Sequence, residues 1–490
     1  MSELDPRTPV VVGVGQVTVR DGGADLDRTA LVMMTEAVEA AGHDAGTLAL
    51  LAQAQLWIAS AGVFGYRDPA RDVAERFGAE APRCLLTNFG GNQPQAAVAY
   101  VSSQIQAGAL DVGVVLGGEA ERNRRLVAAT GDHLDSRGDE RERAPKFGSE
   151  SPIPGTLELE VGAGAPVVAY ALFESALRAR HGETLPENEA ILSSLWAEFS
   201  DVAVDNPFAW NRARVDAAAI GTPTAQNRMV SYPYTKAMCA NPQVDMSAAV
   251  VVCSIERARA LGVPPEKWVF PHSSATGFDT VELLHRDDLA RPQAIAPVAA
   301  AALAHAGISA DDITEVDLYA CFPSIVRITA EALDLAVDRP LTVTGGLNFG
   351  GGPLNNATLH AVAAMVERLR GNDGTYGLVH GNGGVATKHS IGIYGPNPAA
   401  TAFADLDAQP EIDLRSRVPE PDHAGPATIA ACTVIHDREG PEAALAVLTT
   451  PSGTRCFARS NDEAVMTALA ESEYVDQPAQ RTAAGELVLD

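Results

Sequence analysis

Short runs of mostly apolar residues alternate along the chain with longer stretches in which apolar positions recur every three or four residues. This is the pattern of strands separated by amphipathic helices. In the first part of the chain it predicts strand Pro9–Val17, helix Leu26–Ala41, strand Ala52–Ala61, helix Arg67–Phe77, strand Arg83–Asn88, helix Gln93–Ala107 and strand Val112–Gly117. Later it predicts strand Trp268–His272, helix Ala294–Ala306, strand Glu315–Cys321 and helix Ile325–Leu335. Strand Thr342–Leu347, helix Asn355–Leu369 and strands Tyr376–His380 and His389–Tyr394 follow. Strands alternating with helices imply mostly parallel sheets with right-handed crossovers.

The two series are copies of one another. "TNFGGNQPQAAVAYVSSQIQAG" begins at Thr87 and "LNFGGGPLNNATLHAVAAMVERLRG" at Leu347, and each sets Asn-Phe-Gly-Gly between an apolar strand and a helix. Tandem βαβαβαββ units imply an α/β, five-layered αβαβα pseudo-dimer with its two sheets back to back. Residues 1–119 and 243–264 form the first half, and 265–398 the second. Residues 120–242 break the pattern and read as an inserted loop domain. A linker rich in proline and aspartate, 399–425, leads to 426–490, which reads as a small β-rich domain of OB-like, barrel character.

Composition narrows the partners. The 490 residues carry a formal charge of −27, which argues against nucleic acid or an anionic membrane and requires a locally basic mouth for any polyanionic ligand. Hydrophobic residues make up 46% of the chain, enough for sizeable cores, yet no uninterrupted apolar run is long enough to predict a membrane span. None of the six cysteines lies in a CxxC pair, so no metal is expected and a reducing, cytoplasmic setting is. The second glycine loop, "TGGLNFGGGPLNNATLH" (344–360), reads as a place where backbone approaches a ligand closely, though it fits no nucleotide motif.

Further matches fall in a fixed order: "PYTKAMCANPQVDMSAAVVV", "EVDLYACFPS" and "GGLNFGGGPL". Together with the repeat they resemble the thiolase superfamily over residues 8–395, and in detail its sterol-carrier-protein type, whose corresponding segments include "DGAAA", "EVHDCFS" and "GGLIAKGHPL". Asp245 is kept, and Met246 replaces the glycine after it. The tail places the chain among thiolase-like proteins with an additional C-terminal domain, often named acetyl-CoA acetyltransferases.

The resemblance implies Claisen chemistry on coenzyme A thioesters. That chemistry needs a nucleophilic Cys, a base and oxyanion holes. At the nucleophile's position stands Gly90 or Gly91, and the nearby Cys84 reads as a packed strand thiol. Tyr319-Ala320-Cys321-Phe322 replaces the family's His-Asp-Cys-Phe, Gly352 stands at the His of Gly-His-Pro, and His380 falls where many thiolases have a second Cys. Losing members of a cooperating catalytic set costs ~10⁴–10⁶ in rate in serine proteases. The expectation is therefore a protein that binds coenzyme A or acyl-CoA without ordinary thiolase turnover.

An alternative is altered acyl-CoA chemistry in lipid or steroid metabolism. One form is retro-aldol cleavage of a β-hydroxyacyl-CoA, with Tyr319 as acid/base, His380 holding the oxyanion and His389 on the same floor. Another is residual acyl transfer through Cys321. A third class is a scaffold subunit presenting its tail to a partner from fatty-acid or steroid β-oxidation. The family's loop domain meets CoA phosphates, which nominates Arg122, Arg124 and Arg125; the competing reading pairs them with Glu119 and Glu121. Arg212, Arg214 and Lys236 are similar candidates, and Asn348, Gly350 and Gly351 are expected to contact the ligand. His360 reads as packed, and His272 and His436 are assigned no role. Thiolases associate through the edge strand of the first half unless the insertion or tail blocks it.

Overall fold

A computed structural model describes residues 4–134, 141–149, 155–336 and 338–489. The first half holds β1 (Pro9–Thr18), α1 (Ala30–Asp44), β2 (Leu56–Ala59), α2 (Pro69–Arg76), β3 (Arg83–Thr87), α3 (Gln93–Gln106) and β4 (Val112–Ala120). The insertion adds α4 (Glu121–Ala129), β5 (Lys146–Phe147), α5 (Pro166–His181), α6 (Leu185–Asp205) and β6 (Met229–Ser231), and β7 (Asp245–Ser254) returns the chain to the first sheet. In the second half lie β8 (Phe270–Phe278), α7 (Ile295–Ala306), β9 (Glu315–Asp317), α8 (Pro323–Ala332), α9 (Ala357–Leu369), β10 (Gly377–Gly383), β11 (Lys388–Gly395) and β12 (Ala404–Asp407).

The first sheet runs β1-β7-β4-β2-β3-β5 and the second β9-β10-β11-β8-β12. In both, the parallel pairs are flanked by antiparallel ones, as β4 with β7 and β10 with β11. Helices α3 and α9 lie between the sheets, where Val98, Val101, Leu359 and Val362 meet Ile58, Val115, Val250 and Val379 in one core. Outside, Met33 and Met34 of α1 pack on the first sheet, and α7 and α8 cover the second. The layers are αβαβα, as the repeat implied.

Three local differences have physical causes. Helix α1 starts at Ala30 because the Thr29 hydroxyl accepts from Val32 N and caps it there. The segment expected as strand Thr342–Leu347 is not a strand. The Asp317 carboxylate accepts from the amides of Val343 and Thr344 and from the hydroxyls of Thr342 and Thr344, at 2.9–3.1 Å. Two backbone donors that a sheet ladder would use are thus taken by a side chain, and Gly346–Gly350 then forms a π-helical turn. Within the stretch read as linker, β12 pairs with β8 in parallel and extends the second sheet.

The tail forms a third sheet, ordered β15-β14-β13-β16-β17, from β13 (Gly425–His436), β14 (Pro441–Thr449), β15 (Arg455–Ser460), β16 (Pro478–Arg481) and β17 (Leu487–Leu489). Helix α10 (Glu463–Glu471) packs against it. The inserted β6 joins this sheet through Ser231 and Ile435, and buried Arg178 of α5 holds Glu473 at 2.7 Å. Insertion and tail therefore pack together.

Candidate functional site

The two glycine loops meet between the halves. Gly90 N donates to Asn355 Oδ1 at 2.9 Å, and Thr358 Oγ1 donates to the Gly91 carbonyl at 2.5 Å. Asn355 and Asn356 extend the tie to the carbonyls of Ala61 and Gly117, both at 2.8 Å. The second loop is also hemmed in from behind. A Cβ on Gly345 would stand 2.5 Å from the Cβ of Ala203 in α6, and one on Gly351 would collide with Met246. Gly345 and Gly351 also have φ of +92° and +107°. These glycines let the insertion and β7 approach the loop, which accounts for them without a phosphate.

In front of the loops lies a cavity of about 720 Å³. Its wall includes Gly90 and Gly91, Gly352, Tyr319 and Cys321 after β9, Asn382 and Gly384 at the end of β10, and Val167 and Tyr170 of α5. Phe89, Val230, Phe322, Leu347 and Leu354 make most of it apolar. Among the described residues that line it, none is a histidine or a carboxylate.

Tyr319 faces this cavity, and no described residue hydrogen-bonds its hydroxyl. Burial, reinforced by Cys321, raises its pKa well above the ordinary phenol value, so it is a hydrogen-bond donor at neutral pH and not a base. The Cys321 thiol is pushed up to about 12 by burial, against a modest opposing effect of the Tyr170 hydroxyl. With so little thiolate and no histidine or carboxylate among the described wall residues, Cys321 is poorly placed to act as a nucleophile.

His380 is not on this floor. It borders a separate space of about 10 Å³, shared with His360, Gln16, Gly350, Gly351 and another face of Tyr319. Its Nε2 lies 3.1 Å from Nδ1 of His389, with the two rings stacked at 5.4 Å. Burial holds both imidazoles below their ordinary pKa, and His380 Nδ1 and His389 Nε2 have no hydrogen-bond partner among the described residues. The expected convergence of Tyr319, Cys321, His380 and His389 thus divides: the first two reach the cavity and the histidine pair lies behind it.

The arginine candidates lie elsewhere. Arg124 and Arg125 hold Glu121 at 2.7 and 2.9 Å. Arg122 donates to the Gly22 carbonyl, approaches Asp245 at 3.5 Å and borders a different hollow, of about 560 Å³. Their pairing is with acids and backbone, and none lines the apolar cavity. Arg212 bonds the Val204 carbonyl and Arg214 pairs with Asp201, while Lys236 is exposed three residues ahead of the lining Cys239. The Asn348 amide donates to the Ala237 carbonyl, fixing the loop to the insertion.

Sequence reasoning missed three polar residues of the wall. Tyr170 lies in an apolar helical run and reads as core, yet its hydroxyl accepts from Asn382 Nδ2 and Ala386 N at 2.8 and 3.0 Å while its ring stacks on Phe322. Asn382 sits inside "HGNGG", where the glycines draw the eye. Lys388 stands next to His389 in sequence with no motif to mark it, and its amine donates to the Phe89 carbonyl at 3.2 Å.

No protein-family model matches the chain. Along its full length, and that of its counterpart, it superposes on a monomeric SCP2-thiolase-like protein type 1 from Mycobacterium smegmatis, with 32% identity and a TM-score of 0.86. An Ltp2-ChsH2(DUF35) aldolase matches with a TM-score of 0.59 and 20% identity, over 80% of this chain and 98% of that one. The human mitochondrial 3-ketoacyl-CoA thiolase matches at 0.57 and 17%, over 81% of this chain and all of the other. These last two show the fold alone. An acetyl-CoA acetyltransferase from Methanothermobacter thermautotrophicus is 28% identical over 188 residues, 33% of this chain and 48% of that protein, so the match spans about half the relative's length.

Proposed function

The chain belongs to the SCP2-thiolase-like proteins of the thiolase superfamily, and from that premise we propose that it binds coenzyme A or acyl-CoA thioesters in the 720 Å³ cavity without ordinary thiolase turnover. The observation that carries this reading is the crowding at Gly91, one of the two glycines at the nucleophile's expected position. A Cβ on Gly91 would fall 2.6 Å from Tyr319 Cε2 and 2.5 Å from the Asn382 carbonyl oxygen, so a side chain there and Tyr319 as placed exclude one another. Gly352, at the position of the family's second catalytic group, adds only backbone to the wall. What remains is an apolar cavity with convergent donors, the usual form of a small-molecule site. Differential scanning fluorimetry with coenzyme A and acetyl-CoA tests it: a saturable rise in Tm supports the reading, and no shift at millimolar ligand ends it.

One observation favours a second reading, retro-aldol cleavage of a β-hydroxyacyl-CoA. The Tyr319 hydroxyl faces the cavity with no partner in the described protein, where it can donate to a thioester oxygen as enolate charge develops. That reaction needs no acyl-enzyme, which suits a cavity without an activated thiol: the Cα–Cβ bond breaks, the β-hydroxyl gives its proton to water, and the enolate takes one up at its α-carbon. The tail, packed against the insertion, is on this reading a counterpart of the DUF35 component named in the Ltp2-ChsH2(DUF35) aldolase. Release of acetyl-CoA from a β-hydroxyacyl-CoA, lost in Tyr319→Phe, is the test; equal turnover by the variant excludes the role.

A further inference from the structure

One side chain of the cavity wall stands where packing within the chain does not account for it. Phe89 borders the cavity and is 55% exposed, while its neighbours Asn88 and Gly90 are both buried. Of the exposed large hydrophobic residues among those described, it is the only aromatic and the only one on this wall. Its exposure is not that of a loose loop. Asn88 N donates to the Phe147 carbonyl at 2.7 Å, Gly90 N to Asn355 Oδ1 at 2.9 Å, and the Phe89 carbonyl accepts from Lys388 Nζ at 3.2 Å. The backbone is pinned on both sides, and the ring is left at the lip of the cavity, partly in water. Covering it is favourable in proportion to the apolar area removed from water.

What covers the ring follows from its position. Phe89 precedes Gly91 by two residues, a span of at most about 7 Å. A Cβ on Gly91 would lie 2.4 Å from the Tyr319 hydroxyl. With a thioester carbonyl at Tyr319, the lip is within reach of the acyl group and of the first atoms of the carrier arm, and out of reach of the nucleotide. The carrier arm holds two amides, which lose hydrogen bonds against an apolar lip; an aliphatic acyl group has none to lose. Val167, Val230, Leu347 and Leu354 continue the apolar surface inward. We propose that Phe89 is the specificity-determining residue of the cavity. Its ligands are thioesters of aliphatic acyl groups several carbons long, whose chain lies on the Phe89 ring, in preference to acetyl. This rests on the acyl-CoA reading and adds to it the class of acyl group and the residue that selects it.

The test is calorimetric titration of the full chain with acetyl-, butyryl-, hexanoyl- and octanoyl-CoA, each below its aggregation concentration, using wild type, Phe89→Ala and Phe89→Leu. Wild-type affinity is expected to rise with chain length, by about fourfold for each methylene that becomes buried. Phe89→Ala is expected to weaken octanoyl-CoA about tenfold more than acetyl-CoA. Phe89→Leu, which keeps an apolar lip, is expected to restore most of the difference. Phe89→Trp gives a second readout: its fluorescence, taken against wild type, shifts with octanoyl-CoA and not with acetyl-CoA. Octanoyl-CoA binding unchanged in Phe89→Ala overturns the inference. So does an equal loss for acetyl-CoA and octanoyl-CoA, which puts the carrier arm and not the acyl chain on the ring. Failure of the underlying reading is distinct. Wild type binding none of the four thioesters removes the acyl-CoA reading and this inference together; binding without a length dependence removes this inference alone.

Discussion

The Tyr319 hydroxyl occupies the place where a side chain on Gly91 would begin, and the Asn382 carbonyl closes the same space from the other side at 2.5 Å from a built Cβ. Gly91→Ala or Gly91→Cys is therefore expected to overpack the junction of the two halves, costing about 1–3 kcal/mol or more. Gly352→Ala has milder neighbours, backbone oxygens at 3.1 and 3.2 Å, and is expected to cost less. Thermal melting of the three variants checks the order. Adding Tyr319→Ala to Gly91→Ala relieves only one of the two contacts, so stability returns in part.

Tyr319→Phe removes a hydroxyl with no partner in the described protein, so its effect on melting is expected to fall within about 0.5 kcal/mol. Ligand affinity, measured by titration with acyl-CoA, is expected to drop by about tenfold for the loss of one donor in a dry site. A large loss of stability with unchanged affinity would make Tyr319 a packing residue.

Stability is expected to respond to pH through two opposed effects, one from a buried carboxyl and one from buried histidines. Glu119, buried in β4 with Val63 N on its carboxylate, is raised by burial to about 8. The fold then holds a proton that the unfolded chain releases at an ordinary carboxyl pKa. This stabilisation is complete in acid and is lost as pH rises to about 8. Glu119→Gln is expected to flatten the limb that falls from about pH 4.5 to about 8. On the acid side, His360 is lowered by burial to about 3, and His380 and His389 are also held below their ordinary values. Unfolded histidines take up protons near pH 6.5 that the folded ones refuse, so stability declines below that pH. Denaturant midpoints measured from pH 4 to 9 test both limbs.

The chain is expected to be a monomer. On the far side of β3 from β2, β5 of the insertion pairs with it through Leu86–Lys146 and Thr87–Phe147, covering the edge strand through which the resemblance to thiolases implies association. Light scattering should give 51.2 kDa across the micromolar range, and a stable dimer would contradict it.

The five layers were legible in the sequence because hydrophobic period and a duplicated Asn-Phe-Gly-Gly are local signals. Asp317 was not. Its carboxylate turns Thr342–Thr344 out of a ladder by contacts across 25 residues, which no local propensity expresses. The glycine loops were recognised as strand-end loops, yet the reason for Gly345 and Gly351 lies in α6 and Met246, far away in sequence. His380 shows the limit for the site. Alternation along β10 leaves its facing to be fixed by tertiary packing, and that packing turned it towards His389 and away from the cavity. Lys388 and Tyr170 entered the wall by the same route.

The central claim is that the cavity binds a thioester and leaves it intact. It is tested most directly by titrating acetoacetyl-CoA into the protein by calorimetry, with free coenzyme A present, and assaying the same samples for acetyl-CoA. Saturable binding with no thiolysis above the uncatalysed rate is the predicted result. Thiolysis at the rate of an ordinary thiolase, or no binding at millimolar thioester, would contradict it.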